Sequence, residues 1–210
     1  MQKPISKMKN ILFELERIES NFASLEENNA HRKRHYKEDL EWWILGRTKK
    51  IFDREQIAFP SFAEKLKEDD TDFTLSYNGT EAYKHIQITE FVLDEVKNSP
   101  SEKPDIDKLF KRLLDKKLSY NFGPNNWLLI YFDYRSPELC PYGYWHHRIL
   151  QMVDSYDFSE STYEKILVID AKGASAVSFH PYRFIISPEW MDQTTRIDGC
   201  LIKKSTYYKS

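Results

Sequence analysis

The chain has 210 residues, 40% of them hydrophobic, and 31 Lys and Arg against 33 Asp and Glu leave a formal net charge of −2. This composition excludes a disordered tail, a collagen and a uniformly basic nucleic-acid coat protein. The longest apolar run, Trp127-Leu128-Leu129-Ile130-Tyr131-Phe132, is far shorter than the roughly 20 residues a membrane span needs; with no signal-peptide core and no CxxC pair from Cys140 and Cys200, the expectation is a cytoplasmic domain with no membrane contact.

In chain order, the first predicted element is a helix carrying Met8, Ile11, Leu12, Leu15, Ile18, Phe22 and Leu25 at helical spacing. Its apolar stripe covers about two heptads, so it can dock on its own domain or pair with a second copy as a homodimer. Asn28-Asn29 breaks it before a second helix, roughly Ala30 to Phe52, with Tyr36, Leu40, Trp43, Ile44 and Ile51 on the apolar side.

Past a loop around Pro60 the pattern turns to period two. Asp72-Phe73-Thr74-Leu75-Ser76-Tyr77 alternates, Asn78-Gly79 signals a hairpin, and Tyr83 to Thr89 alternates again. A two-residue turn would set Asp72 opposite His85. In that register Phe73 and Leu75 share a face with Ile86 and Ile88, and Asp72, Gln87 and Thr89 share the other.

A helix follows from Pro104-Asp105, with Ile106, Leu109, Phe110, Leu113 and Leu114 apolar and Lys117 in the middle of the same stripe. Two nearly continuous apolar strands, Trp127 to Tyr134 and Lys165 to Ile169, have the pattern of strands buried on both faces. A helix from about Tyr144 to Val153 lies between them. Two shorter strands, Ala176 to Phe179 and Arg183 to Ile186, follow. The order implies an α/β or α+β domain with a mixed sheet flanked by helices. The expected organisation is a helical extension over 1–29, the α/β domain over 30–200 and a loose tail over 201–210.

Charge is uneven along this order. Residues 30–54 hold eight basic and four acidic side chains, and residues 55–110 hold six lysines and thirteen acids. A basic helix beside an acid-rich segment is the electrostatic pattern of a phosphate-binding face next to a cation site. On the basic side the candidates are Arg32, Lys33, Arg34 and Lys37.

A helix with an acid, a hairpin with Thr71-Asp72-Phe73 on one strand and Ile86-Gln87-Ile88-Thr89-Glu90 on the other, then helix, buried strand and helix, resembles the PD-(D/E)XK nuclease superfamily. The stretch Lys117-Leu118-Ser119-Tyr120 ahead of Trp127 is similar to divergent members. The resemblance covers roughly Ala30 to Ile169. It implies a restriction-endonuclease-like fold and Mg²⁺- or Mn²⁺-dependent hydrolysis of DNA or RNA. Phosphodiester hydrolysis needs a hard cation to neutralise charge building on phosphoryl oxygens, and Mg²⁺ takes carboxylate oxygens.

Carried over residue by residue, the resemblance implies Asp72, Gln87 and Glu90 as metal ligands. It implies Glu41, Thr89 and Lys117 as catalytic side chains, with Glu41 or Glu90 completing the metal cage. Gln87 stands where a second carboxylate belongs and Thr89 where a lysine belongs, and Lys117 is the candidate replacement for that lysine. The alternative keeps the fold without the reaction: a catalytically silent relative that binds nucleic acid or a protein.

Overall fold

The computed structural model describes residues 8–25, 33–66, 71–91, 106–120, 122–123, 125–132, 145–154, 156–159, 161–170, 175–181, 183–186, 196–197, 200–201 and 205–208, with the side chains of 22–25, 33–36, 145–147, 183–184 and 196–208 outside that description. The chain is mixed α/β and divides into two compact units, 1–87 and 88–210. The division falls inside a strand.

The first unit begins with β1 (Lys9–Asn10) and α1 (Ile11–Leu25). Asn10 is the N-cap: its Oδ1 accepts hydrogen bonds from the Leu12 and Phe13 amides at 3.0 and 3.1 Å, satisfying donors that the helix itself cannot pair. Ile11, Leu15 and Ile18 are buried. Their partner is α2 (Lys33–Arg54), so the described part of the stripe docks on its own domain. The helices approach closely at Gly46, where an added Cβ would lie 2.6 Å from Leu15 Cβ. Ion pairs from Arg17 to Asp39 (3.0 Å) and from Glu19 to Lys50 (3.3 Å) flank the crossing.

Because α1 covers one side of α2 and strands cover another, its buried set is wider than one stripe and centred elsewhere than expected. Trp42, Leu45 and Phe52 are buried together with Ile44 and Ile51, while Trp43 is only half-buried. Thr48 is buried and donates to the Ile44 carbonyl at 2.8 Å. Trp42 packs edge-on against Phe73 with ring centroids 4.7 Å apart.

The strands of this unit are β2 (Phe62–Lys65), β3 (Phe73–Ser76) and the first part of β4 (Lys84–Phe91). All pair antiparallel in the order β1-β2-β3-β4. The hairpin register differs from the expected one by two residues: Phe73 faces Ile86 and Thr74 faces His85. The turn is longer than Asn78-Gly79 alone. Asn78 Oδ1 accepts from the Thr80 and Glu81 amides, Ser76 Oγ accepts from the Gly79 amide, and the Tyr83 amide bonds the Leu75 carbonyl at 2.7 Å. A shift of two preserves side-chain parity, so Phe73, Leu75 and Ile86 remain together and buried.

The second unit holds α3 (Ile106–Leu118), β5 (Asn126–Phe132), α4 (Trp145–Val153), β6 (Tyr163–Asp170), β7 (Ser175–His180) and β8 (Arg183–Ile186). β5 and β6 are parallel, joined through α4, and β7 and β8 continue antiparallel. Short strands β9 (Arg196–Ile197) and β10 (Cys200–Leu201) pair with each other. β11 (Ser205–Tyr208), in the segment expected to be loose, pairs antiparallel with β8.

The core follows strand alternation. Leu128, Ile130 and Phe132, with Ile166, Val168 and Val177, meet Phe110, Leu114 and Ile149 from the helices. Trp127, Leu129, Leu167 and Ile169, on the opposite parity, are buried too, as continuous apolar strands require. At about 25 cal/mol per Å² of apolar area removed from water, these side chains are each worth roughly 1.5–3 kcal/mol.

Candidate functional site

The first unit brings two of the predicted acids to one point. Glu41 projects from α2, Asp72 stands just ahead of β3, and Lys65 ends β2. Lys65 Nζ is hydrogen-bonded to Glu41 Oε2 and lies 3.4 Å from Asp72 Oδ1. The same ammonium sits over the Phe73 ring, 4.6 Å from its centroid. Lys37 Nζ approaches the other Glu41 oxygen at 3.8 Å from a side chain that is 78% exposed.

Local structure explains this meeting. Lys65 pairs with Phe73 across β2 and β3, so both side chains project from the face against which Trp42 of α2 packs. Glu41 precedes Trp42 on that helix. The Asp72 amide donates to the Ile86 carbonyl at 3.0 Å, and the Leu66 amide donates to the Asp72 carbonyl at 3.0 Å. Asp72 is thereby held by its backbone on both sides.

The site is electrostatically graded. The Glu41 side chain is only 8% exposed and that of Lys65 24%. Burial pushes the Glu41 carboxyl above the usual carboxylate range; the hydrogen bond and charge of Lys65 work against that rise, and the neighbouring Asp72 charge adds to it. Desolvation therefore outweighs the ion pair at Glu41. Behind it, on the other face of the hairpin, Thr74 Oγ1 and His85 Nδ1 are 3.1 Å apart, and burial lowers the His85 pKa.

The other predicted residues are placed as follows. Gln87 is half-buried and shares the parity of His85 on β4, opposite the row of Lys65, Phe73 and Ile86. Extending the Phe73–Ile86 register by one residue sets Gln87 across from Asp72, on the same parity. Thr89 is half-buried, Glu90 exposed, and both lie on the part of β4 assigned to the second unit. Lys117 is half-buried on α3, one turn beyond Leu114 and continuing the Ile106-Phe110-Leu114 stripe. Arg32 and the side chains of Lys33 and Arg34 lie outside the described residues. Lys37 is described and exposed.

Lys65 is the residue that sequence reasoning passed over. Its strand, Phe62-Ala63-Glu64-Lys65, is four residues long and stands in a stretch read as loop around Pro60. The alternation of buried Ala63 with its half-buried neighbours is the one local signal, and four residues carry it weakly.

Chemically, two carboxylates on different elements converge on one cation. That donor set suits a hard oxygen-binding ion as well as an ammonium. Among the described residues no group of three or more His, Cys, Asp and Glu side chains is placed to hold a metal ion, and no helix is long and apolar enough to cross a membrane. Comparison of the chain with protein-family models, with curated proteins and with solved structures finds no match.

Proposed function

We propose that the chain is a divergent nuclease-like domain of the PD-(D/E)XK kind, in which Glu41 and Asp72 hold a divalent cation for hydrolysis of a nucleic-acid phosphodiester. The observation that carries this reading is the meeting of Glu41 and Asp72, from two separate elements, on a single cationic group. The order of elements supports it as well: the acid-bearing α2, the β3–β4 hairpin, α3, the buried β5 and α4 follow the layout of that superfamily. β2 is added between helix and hairpin.

Mg²⁺ or Mn²⁺, when bound, supplies neutralisation of charge on the phosphoryl oxygens and a lowered pKa for the attacking water. The chain's own residues do the remaining work. Glu41 and Asp72 present carboxylate oxygens, and Trp42 and Phe73 wall the inner side with apolar surface, which strengthens electrostatic interactions there. Lys65 and Lys37 offer ammonium donors to the phosphate, and Arg32, Lys33 and Arg34 remain the expected contacts to the nucleic-acid backbone. Water forms the new P–O bond, the ester P–O bond breaks, and a proton reaches the leaving alkoxide.

A second reading is favoured by the uncharged Gln87 and Thr89 and by an ammonium already neutralising the acid pair: a silent relative that binds nucleic acid without cleaving it. One experiment separates them. Thermal melting against increasing Mg²⁺ or Mn²⁺ is expected to raise the transition temperature of the wild type by several degrees, and Asp72→Ala is expected to abolish that rise. Plasmid and single-stranded substrates are then tested for cleavage. No rise and no cleavage refutes the nuclease reading; retention on DNA at low salt, lost as salt increases, then supports the binding module.

A further inference from the structure

We infer that Lys65 is the working ammonium of the acid pair, and that it competes with a divalent cation for Glu41 and Asp72. The inference rests on the nuclease-like reading above and assigns a role that the sequence resemblance placed on Lys117.

Position is the first argument. Lys65 ends a strand whose register with β3 is set residue by residue, Lys65 against Phe73, so its Cα is anchored beside the acids rather than on a loop. Its ammonium touches both Glu41 and Asp72 and lies over the Phe73 ring at 4.6 Å. These contacts hold a long, flexible side chain in one place.

Donor number is the second. An ammonium carries three N–H donors. Two are engaged by Glu41 and Asp72, and the side chain keeps 24% of its surface open. A phosphoryl oxygen can therefore take the third from the solvent side without disturbing the packed wall. Such a donor, aimed where negative charge develops, stabilises the transition state more than the ground state.

Charge is the third. A positive group in contact with both carboxylates opposes any second cation at the same oxygens. The divalent ion and the Lys65 contacts are alternatives, and entry of the ion shifts Lys65 from the carboxylates toward the phosphate. Removing the lysine charge thus strengthens cation binding while weakening the reaction. A lysine with only a structural role has no reason to give that opposed pair of effects.

The test compares the full-length wild type with Lys65→Met, Lys65→Arg and Lys117→Met. Two quantities are read: the Mn²⁺ concentration giving half the maximal thermal stabilisation, and the rate of cleavage of single-stranded and plasmid DNA. Lys65→Met is expected to lower the half-point about tenfold and to cut cleavage about a hundredfold or more. Lys65→Arg keeps the half-point near the wild-type value and restores part of the rate; it also serves should the methionine variant fail to fold. An unchanged or raised half-point in Lys65→Met overturns the competition. Cleavage kept in Lys65→Met but lost in Lys117→Met overturns the assignment. A wild type with neither a cation-dependent shift nor cleavage overturns the nuclease reading itself, whatever the variants do.

Discussion

Replacing Lys65 by Met leaves Glu41 as a buried carboxylate with the exposed Lys37, 3.8 Å away, as its cationic partner among the described residues. Breaking a fully buried pair by removing one member costs about 3–5 kcal/mol. Here the lysine side chain is 24% exposed and Asp72 23%, water reaches part of the site, and Lys37 remains. About 2 kcal/mol at neutral pH is the expected cost, or roughly 4–8 °C in transition temperature for a chain of this size.

The pH dependence gives the sharper test. Glu41 already titrates above its ordinary range because burial disfavours its charge. A carboxyl with a raised folded-state pKa binds more protons folded than unfolded, so stability falls as pH rises from the ordinary carboxylate range through the raised value. Losing the Lys65 charge raises that value further and widens the window. Below the ordinary range Glu41 is protonated in both states, and the substitution there costs only stem packing and the Asp72 contact. Urea unfolding of wild type and Lys65→Met between pH 4 and pH 8 is expected to show a penalty of about 2 kcal/mol at the upper end and about half that or less at the lower. Adding Glu41→Gln should recover most of the difference at pH 8. An equal penalty at both ends, with no recovery in the double variant, would refute the electrostatic account.

Three further outcomes are expected. Gly46→Ala places a Cβ 2.6 Å from Leu15 Cβ; overpacking of about 3 kcal/mol less the roughly 1 kcal/mol gained from helix propensity leaves a net loss of about 2 kcal/mol in a denaturant titration. Leu15→Ala should not rescue it, because the offending carbon is the β-carbon. Asn10→Ala removes the acceptor for the Leu12 and Phe13 amides and should cost about 1 kcal/mol by thermal melting, with faster amide exchange confined to the start of α1. Tyr156 donates to Asp115 at 2.6 Å, and burial, then that hydrogen bond and charge, raise its pKa above the usual tyrosine range. The unfolded chain therefore releases that proton first, and stability falls as pH climbs past the ordinary tyrosine pKa. Tyr156→Phe should flatten this alkaline loss when melting is followed above neutral pH.

The architecture was largely legible because it depends on patterns a few residues long. Ile106, Phe110 and Leu114 are at helical spacing and are buried on α3; Trp127 to Phe132 and Ile166 to Ile169 are continuous apolar runs and lie in the parallel pair β5–β6. Ile11, Leu15 and Ile18 carry the α1 stripe and bury it. Local periodicity fails where one element meets two neighbours. On α2 the buried set spreads to Trp42, Leu45 and Phe52 because both α1 and the strands cover it, and no single 3.6-residue stripe describes that.

By itself the sequence determined which residues alternate and therefore which share a face. It also singled out Glu41 and Asp72 as acids on a helix and at a strand start. Parity survives a two-residue change of register, so Phe73 and Ile86 remain together although the turn proved longer than Asn78-Gly79. Only the tertiary structure decided that Lys65, from a four-residue strand, closes the acid pair. The physical reason is that an ion pair between three separate elements depends on how strands and helix stack in space, and no spacing along the chain encodes a distance between side-chain tips.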